Sequence, residues 1–133
     1  MTYLANKILK CICDFFNHRK RRLNKFIKAC GDSKHVVEFW SKFDDDDILR
    51  HFYWTIDDCN IKPQTVKIHI LHAPVYWKEE NQWCIGRRDD NAENAICYDC
   101  IRKTICVYNK NGICTYTALS IDVFLKQLHS ILQ

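Results

Sequence analysis

The spacing of apolar positions changes period along the chain, helical at first, two-residue through the second half, and helical again at the end. Leu4, Ile8, Cys11, Ile12 and Phe15 share one helical face, and Leu23, Phe26, Ile27 and Cys30 resume it beyond the basic run His18 to Arg22. The pattern predicts one long helix, or two joined near Asn17, stopped at Gly31, because glycine accepts the left-handed backbone that ends helices. Asp32 or Ser33 is placed to cap a second, short helix carrying Val36, Val37, Trp40 and Phe43. The acidic run Asp44 to Asp47 predicts the first turn of a third helix, where the helix dipole favours carboxylates, with Ile48, Leu49, Phe52 and Ile56 inward.

Pro63 closes this helical region, since the residue before a proline resists α geometry. From Thr65 to His72 the pattern alternates, Val66, Ile68 and Ile70 on one face and Lys67, His69 and Leu71 on the other, as in a half-buried strand punctuated by Pro74. Val75 to Lys78 and Gln82 to Arg87 flank Glu79-Glu80-Asn81 as a hairpin, and Ala95 to Cys100 begins another strand after the polar stretch Arg87 to Asn94. Thr104 to Tyr108 and Ile113 to Thr117 are β-branched or aromatic runs joined by Asn109-Lys110-Asn111-Gly112, and Asn-Gly suits a turn that needs positive φ. Finally Ser120 caps, Asp122 enters the first turn, and Ile121, Phe124, Leu125, Leu128, Ile131 and Leu132 recur at helical spacing.

Together these elements predict an α+β fold with N-terminal helices, a five- to six-stranded mainly antiparallel sheet, and a C-terminal amphipathic helix packed on the sheet. One domain spans 1–133, divided into a basic amphipathic helical segment (1–31), short helices (32–62), an antiparallel meander (63–118) and the closing helix (119–133). A helix-grip layout, in which the meander curls around the last helix and encloses an apolar ligand, fits the same pattern.

Composition narrows the function classes. With 47% hydrophobic residues, only 3 glycines and 2 prolines, the chain of 133 residues reads as one globular unit with no low-complexity linker. No run approaches the roughly 20 apolar residues of a membrane-spanning helix. Nine cysteines, an odd number, without a secretory signal point to reduced thiols in an intracellular setting, cytoplasmic or nuclear. The net charge of +4 is lopsided: residues 1–30 hold eight basic side chains against Asp14 alone, a balance of +7, which leaves −3 for the remainder. Arg19, Lys20, Arg21, Arg22, Lys25 and Lys28, with Lys7 and Lys10, therefore form a localised candidate contact for nucleic acid or an anionic membrane surface over residues 7–28. Cys11 and Cys13 beside this run are candidate palmitate acceptors.

Catalytic signatures are sparse, and the expectation is a protein that is not an enzyme. The 6 histidines are scattered; His69 and His72 could meet a cysteine in the fold, but nothing local supplies an oxyanion hole. Cys97, Cys100, Cys106 and Cys114 form an alternative zinc set. The Asn-Gly hairpin register sets Cys106 opposite Thr117 and Cys114 opposite Asn109, about 10 Å apart along the ladder at a rise of roughly 3.3 Å per residue, too far to share one ion. No cofactor is therefore expected, with zinc held as the alternative.

Trp83-Cys84-Ile85-Gly86-Arg87 delivers an arginine from a strand into a polar loop, ahead of short antiparallel strands, an Asn-Gly turn and an apolar helix. This arrangement, over Trp83 to Ile131, resembles the phosphate-binding half of SH2 domains. The resemblance implies that Arg87, seconded by Arg88, grips an anionic group such as phosphotyrosine through the bidentate guanidinium fork. The sequence thus leads first to a non-catalytic intracellular interaction module, an adaptor or viral accessory protein, whose partner is a protein bearing phosphorylated or acidic residues. Nucleic-acid binding through the basic helix and an apolar-ligand pocket follow as alternatives.

Overall fold

The computed structural model describes residues 19–43, 49–56, 64–89, 94–109 and 111–130. Helix α1 covers residues 19–29 and α2 Lys34–Ser41. Strands β1 (Leu49–Ile56), β2 (Gln64–Trp77), β3 (Gln82–Arg88), β4 (Ala95–Asp99), β5 (Thr104–Tyr108) and β6 (Cys114–Leu119) follow as an antiparallel meander. Helix α3 (Ile121–Lys126) then carries the chain back to β7 (Leu128–Ser130), which pairs with β1, giving the order β6-β5-β4-β3-β2-β1-β7. The fold is α+β, with seven strands among the described residues instead of five or six.

The helix boundaries follow from local chemistry. Gly31 (φ 72°) and Asp32 (φ 54°) take the left-handed backbone that stops α1, and the Ser33 hydroxyl accepts from the Val36 amide at 3.5 Å to start α2. The same hydroxyl donates to Asp122 Oδ1 at 2.6 Å, tying the start of α2 to the first turn of α3. Leu4 to Phe15, Lys7, Lys10, Cys11 and Cys13 lie outside the described residues, as do Asp44 to Asp47, Ile131 and Leu132. No described helix is long and apolar enough to cross a membrane.

Three expectations are corrected. Residues 49–56 form β1, not a third helix: Phe52 and Trp54 turn inward while His51 and Tyr53 face out, so the period is two. The second correction concerns the closing helix, which ends at Lys126. Leu128–Ser130 instead completes the ladder on β1, pairing Trp54 with Leu128, so backbone groups that an open edge would leave without partners are satisfied. Third, Pro74 does not end its strand. β2 runs on to Trp77 through an irregularity in which residues 71–74 lose register with β3 between Ile70 and Val75. Two side chains serve carbonyls there: Trp40 Nε1 donates to Leu71 O at 3.0 Å, and an Arg22 terminal nitrogen donates to Ala73 O at 3.1 Å.

The three helices among the described residues pack on one face of the sheet. Phe26 of α1, Val36 and Trp40 of α2, and Ile121, Phe124 and Leu125 of α3 share a core with Trp54, Ile68, Ile70, Trp83, Ile85, Ile96, Tyr98, Ile105 and Val107. Helix α3 contacts β5 and β6 at one side of the sheet, and its Phe124 meets Trp54 of β1 edge-on at 5.0 Å, so the meander curls around it. The interior that a helix-grip layout would offer to a ligand is occupied by Phe26, Trp40, Trp54, Trp83 and Phe124.

The hairpin ending in Gly112 stands, with one shift of detail. Cys106 faces Thr117 as expected, but Cys114 faces Tyr108 because the register slips between Val107 and Tyr108. Asn109 Oδ1 accepts from the amides of Asn111 (2.9 Å) and Ile113 (3.0 Å), and Gly112 takes φ 75°. In the β2–β3 turn, which has no glycine, Asn81 supplies the positive φ (52°).

Candidate functional site

The chemistry-bearing side chains gather on the face of the sheet away from the helices. A β-bulge between β3 and β4 sets this up: Cys84 pairs with Cys97 and Gly86 with Ile96, so Ile85 is the extra residue. Beyond the bulge the alternation restarts, and Arg87, opposite Ala95 on one side and His69 on the other, emerges on the same outer face as Cys84. Arg88 is paired with Ile68, whose side chain is fully buried on the helix side. The two arginines read as a pair in the sequence are therefore sent to opposite faces, as successive strand residues must be.

Small residues floor a depression beside Arg87. Cys84, Ala95 and Cys97 are buried there beneath Leu71, Trp77 and Tyr108. The resulting groove, about 360 Å³, is lined by Arg87, Trp77, Glu80, Gln82, Ala95 and Tyr108, together with the β5–β6 turn. Gln82 is buried but satisfied, donating to Tyr108 Oη at 2.6 Å and to Asp99 Oδ2 at 3.3 Å, and this fixes the phenol across the groove. Arg87 is exposed at its rim.

Next to Arg87 stands a cluster that sequence reasoning missed. His51 of β1 and His69 of β2 are directly opposed in register, and Asp89 follows β3. His69 Nδ1 lies 2.6 Å from Asp89 Oδ1 and His51 Nδ1 lies 2.9 Å from Oδ2. An ionised carboxylate only accepts, so both rings donate Nδ1–H to it. Burial works to raise the Asp89 carboxyl, but the hydrogen bonds from His69 and His51 outweigh it and hold the group below the usual carboxylate value. The Asp89 amide donates to Lys67 O at 2.8 Å, anchoring the loop to β2. His72 lies elsewhere, edge-on to Phe43.

The alternative zinc cysteines do not converge. Cys97 and Cys106 are buried cross-strand partners, Cys100 packs against the helix-side core, and Cys114 is exposed opposite Tyr108. The Cys97 thiol is pushed far up by its hydrogen bond with Cys84 and by burial, and burial beside Asp99 raises Cys100, so neither readily supplies a thiolate. Among the described residues, the one group of three metal-ligating side chains within mutual reach is His51, His69 and Asp89.

The basic run is split by α1. Lys20, Arg21, Lys25 and Lys28 are exposed, and Arg21, Lys25 and Lys28 fall at i, i+4 and i+7 on one stripe. Arg19 and Arg22 are half-buried, and Arg22 is engaged by the β2 irregularity. No family model, curated protein or solved structure matches the chain. The functional reading therefore rests on the chemistry of these surfaces.

Proposed function

We propose that this protein is a non-catalytic protein-interaction module whose outer-face groove takes an acidic or phosphorylated side chain at Arg87. The observation that carries the reading is the placement of an exposed arginine, Arg87, at the rim of a groove walled by Trp77 and Tyr108. A guanidinium offers a planar fork to a carboxylate or phosphate, and the aromatic walls offer apolar area to the rest of the peptide. Arg88 contributes nothing directly to this groove. Fluorescence polarisation with phosphotyrosine peptides and their unphosphorylated and glutamate counterparts tests the reading. Arg87→Ala is expected to weaken binding by roughly 10- to 100-fold, the worth of a charge-assisted hydrogen-bonded pair of about 1.5–3 kcal/mol, while Arg88→Ala leaves it nearly unchanged. Equal affinity of wild type and Arg87→Ala would remove the proposal.

A second reading is supported by the solvent-facing stripe Arg21, Lys25 and Lys28 with Lys20 beside it. Such a stripe would track a nucleic-acid backbone, and about three phosphate contacts would give a log–log salt slope near −3 on duplex DNA. Lys25→Glu with Lys28→Glu should flatten that slope by about 2. A salt-independent signal in anisotropy titrations, or none at low salt, excludes it.

A further inference from the structure

We propose that His51, His69 and Asp89 bind a divalent transition-metal ion, with zinc as the first candidate. The inference does not rest on the groove reading: its donors are His51 of β1, His69 of β2 and Asp89 just past β3, none of which lines the groove.

The donor set is two imidazole nitrogens and one carboxylate, which suits borderline ions such as Zn²⁺, Co²⁺ and Ni²⁺ and does not suit the oxygen-seeking Ca²⁺ or Mg²⁺. All three ligand atoms already lie within 4.8 Å of one another. Tetrahedral zinc with bonds of about 2.0–2.1 Å needs ligand atoms roughly 3.4 Å apart, so the required adjustment is a small side-chain rotation. The side chains are suited to make it. His69 (15% exposed) and Asp89 (20%) form a held pair, whereas His51 (49%) has solvent on one side and room to turn.

The arrangement of protons points the same way. Two rings from neighbouring strands, with centroids 5.8 Å apart, present the same nitrogen to one carboxylate. The Nδ1 protons occupy the space between three donors, and a divalent ion entering there replaces them. Each neutral imidazole binds through the Nδ1 lone pair once its single proton has moved through solvent to Nε2, so the ring stays neutral and keeps one N–H. Nothing on the protein side needs to be oxidised or reduced.

The backbone holds the ligands in advance. His51 and His69 are register partners in the β1–β2 ladder, and the Asp89 amide is bonded to Lys67 O. Three protein ligands leave at least one position toward solvent. One carboxylate against a divalent charge leaves the site cationic, and Arg87 is the cross-strand neighbour of His69. Water or a small anion is therefore the class of external ligand expected in that position.

The test is uptake of Co²⁺ and Zn²⁺ by the full reduced chain, by equilibrium dialysis and, for cobalt, by absorption, since thiolate ligation produces a charge-transfer band that nitrogen and oxygen ligands do not. The expected result is one tightly bound equivalent without that band. Binding should weaken by at least about 100-fold in His51→Ala and in Asp89→Asn and be retained in Cys114→Ser. His51→Ala removes a half-exposed ring, and its circular dichroism and melting temperature without metal show whether it still folds. In wild type, metal should raise the melting temperature, an effect absent from His51→Ala. No uptake by wild type, uptake unchanged in His51→Ala and Asp89→Asn, or uptake lost in Cys114→Ser would each overturn the proposal.

Discussion

Phe26→Ala is expected to remove about 4 kcal/mol of stability, within the range for truncating a buried aromatic ring, and to lower the melting temperature by roughly 15 °C in a chain of this size. Phe26 is fully buried, and its ring meets Trp40 at 5.0 Å, Trp83 at 5.5 Å and Tyr98 at 6.2 Å, each edge-on. Those partners belong to α2, β3 and β4, so one side chain of α1 joins both helical and sheet layers. The loss has two sources, the apolar area returned to water and the cavity left among three rings that cannot all close on it. Phe26→Leu should recover about half of the deficit, because it restores volume without the edge contacts. Urea or thermal denaturation followed by circular dichroism measures both. A deficit under about 1 kcal/mol for the alanine variant would mean that α1 is not docked on the sheet through this ring.

Much of the architecture could be read along the chain because period and turn chemistry agreed. The alternation of Val66, Ile68 and Ile70, the Asn109 to Gly112 turn, the Ser33 and Ser120 caps and the Gly31 stop each combine a local preference with a burial pattern that the fold satisfies. The failures share a cause, which is pairing between segments distant in sequence. Leu49–Ile56 matches helical spacing at Leu49, Phe52 and Ile56 as readily as strand spacing at Phe52 and Trp54, and its run of His51, Phe52, Tyr53, Trp54 and Thr55 is the signal that favours a strand. Leu128 fits a helical stripe, yet the exposed edge of β1 draws it into a ladder. The His51, His69 and Asp89 cluster was illegible for the first of these reasons, since two histidines 18 positions apart become neighbours only once residues 49–56 are recognised as the strand beside β2. Arg87 was legible as a candidate because it leaves an apolar strand for a polar loop. That it emerges on the same outer face as Cys84 depends on the bulge, for which Gly86 within a strand was the available hint.

That glycine carries the second large expectation. A β-carbon on Gly86 would sit 2.3 Å from His69 O and 3.1 Å from Ile70 Cδ1. The isoleucine methyl can rotate aside, but the carbonyl belongs to the β2 backbone, so only separation of β2 from β3 relieves the contact. Gly86→Ala is therefore expected to cost about 3 kcal/mol, at the upper end for overpacking a core, and to lower the melting temperature by about 10 °C. The damage should not stop at stability. Gly86 pairs with Ile70, immediately beside the His69–Arg87 pair, and the same separation moves both His69 and Arg87 relative to Asp89 and the groove. Peptide affinity and metal uptake should fall together in Gly86→Ala at temperatures where it remains folded, whereas Arg87→Ala should lose peptide affinity with little change in melting temperature. A Gly86→Ala protein with wild-type melting would show that the two strands do not approach as closely as this contact requires, and the outer-face placement of Arg87 and His69 would lose its structural basis.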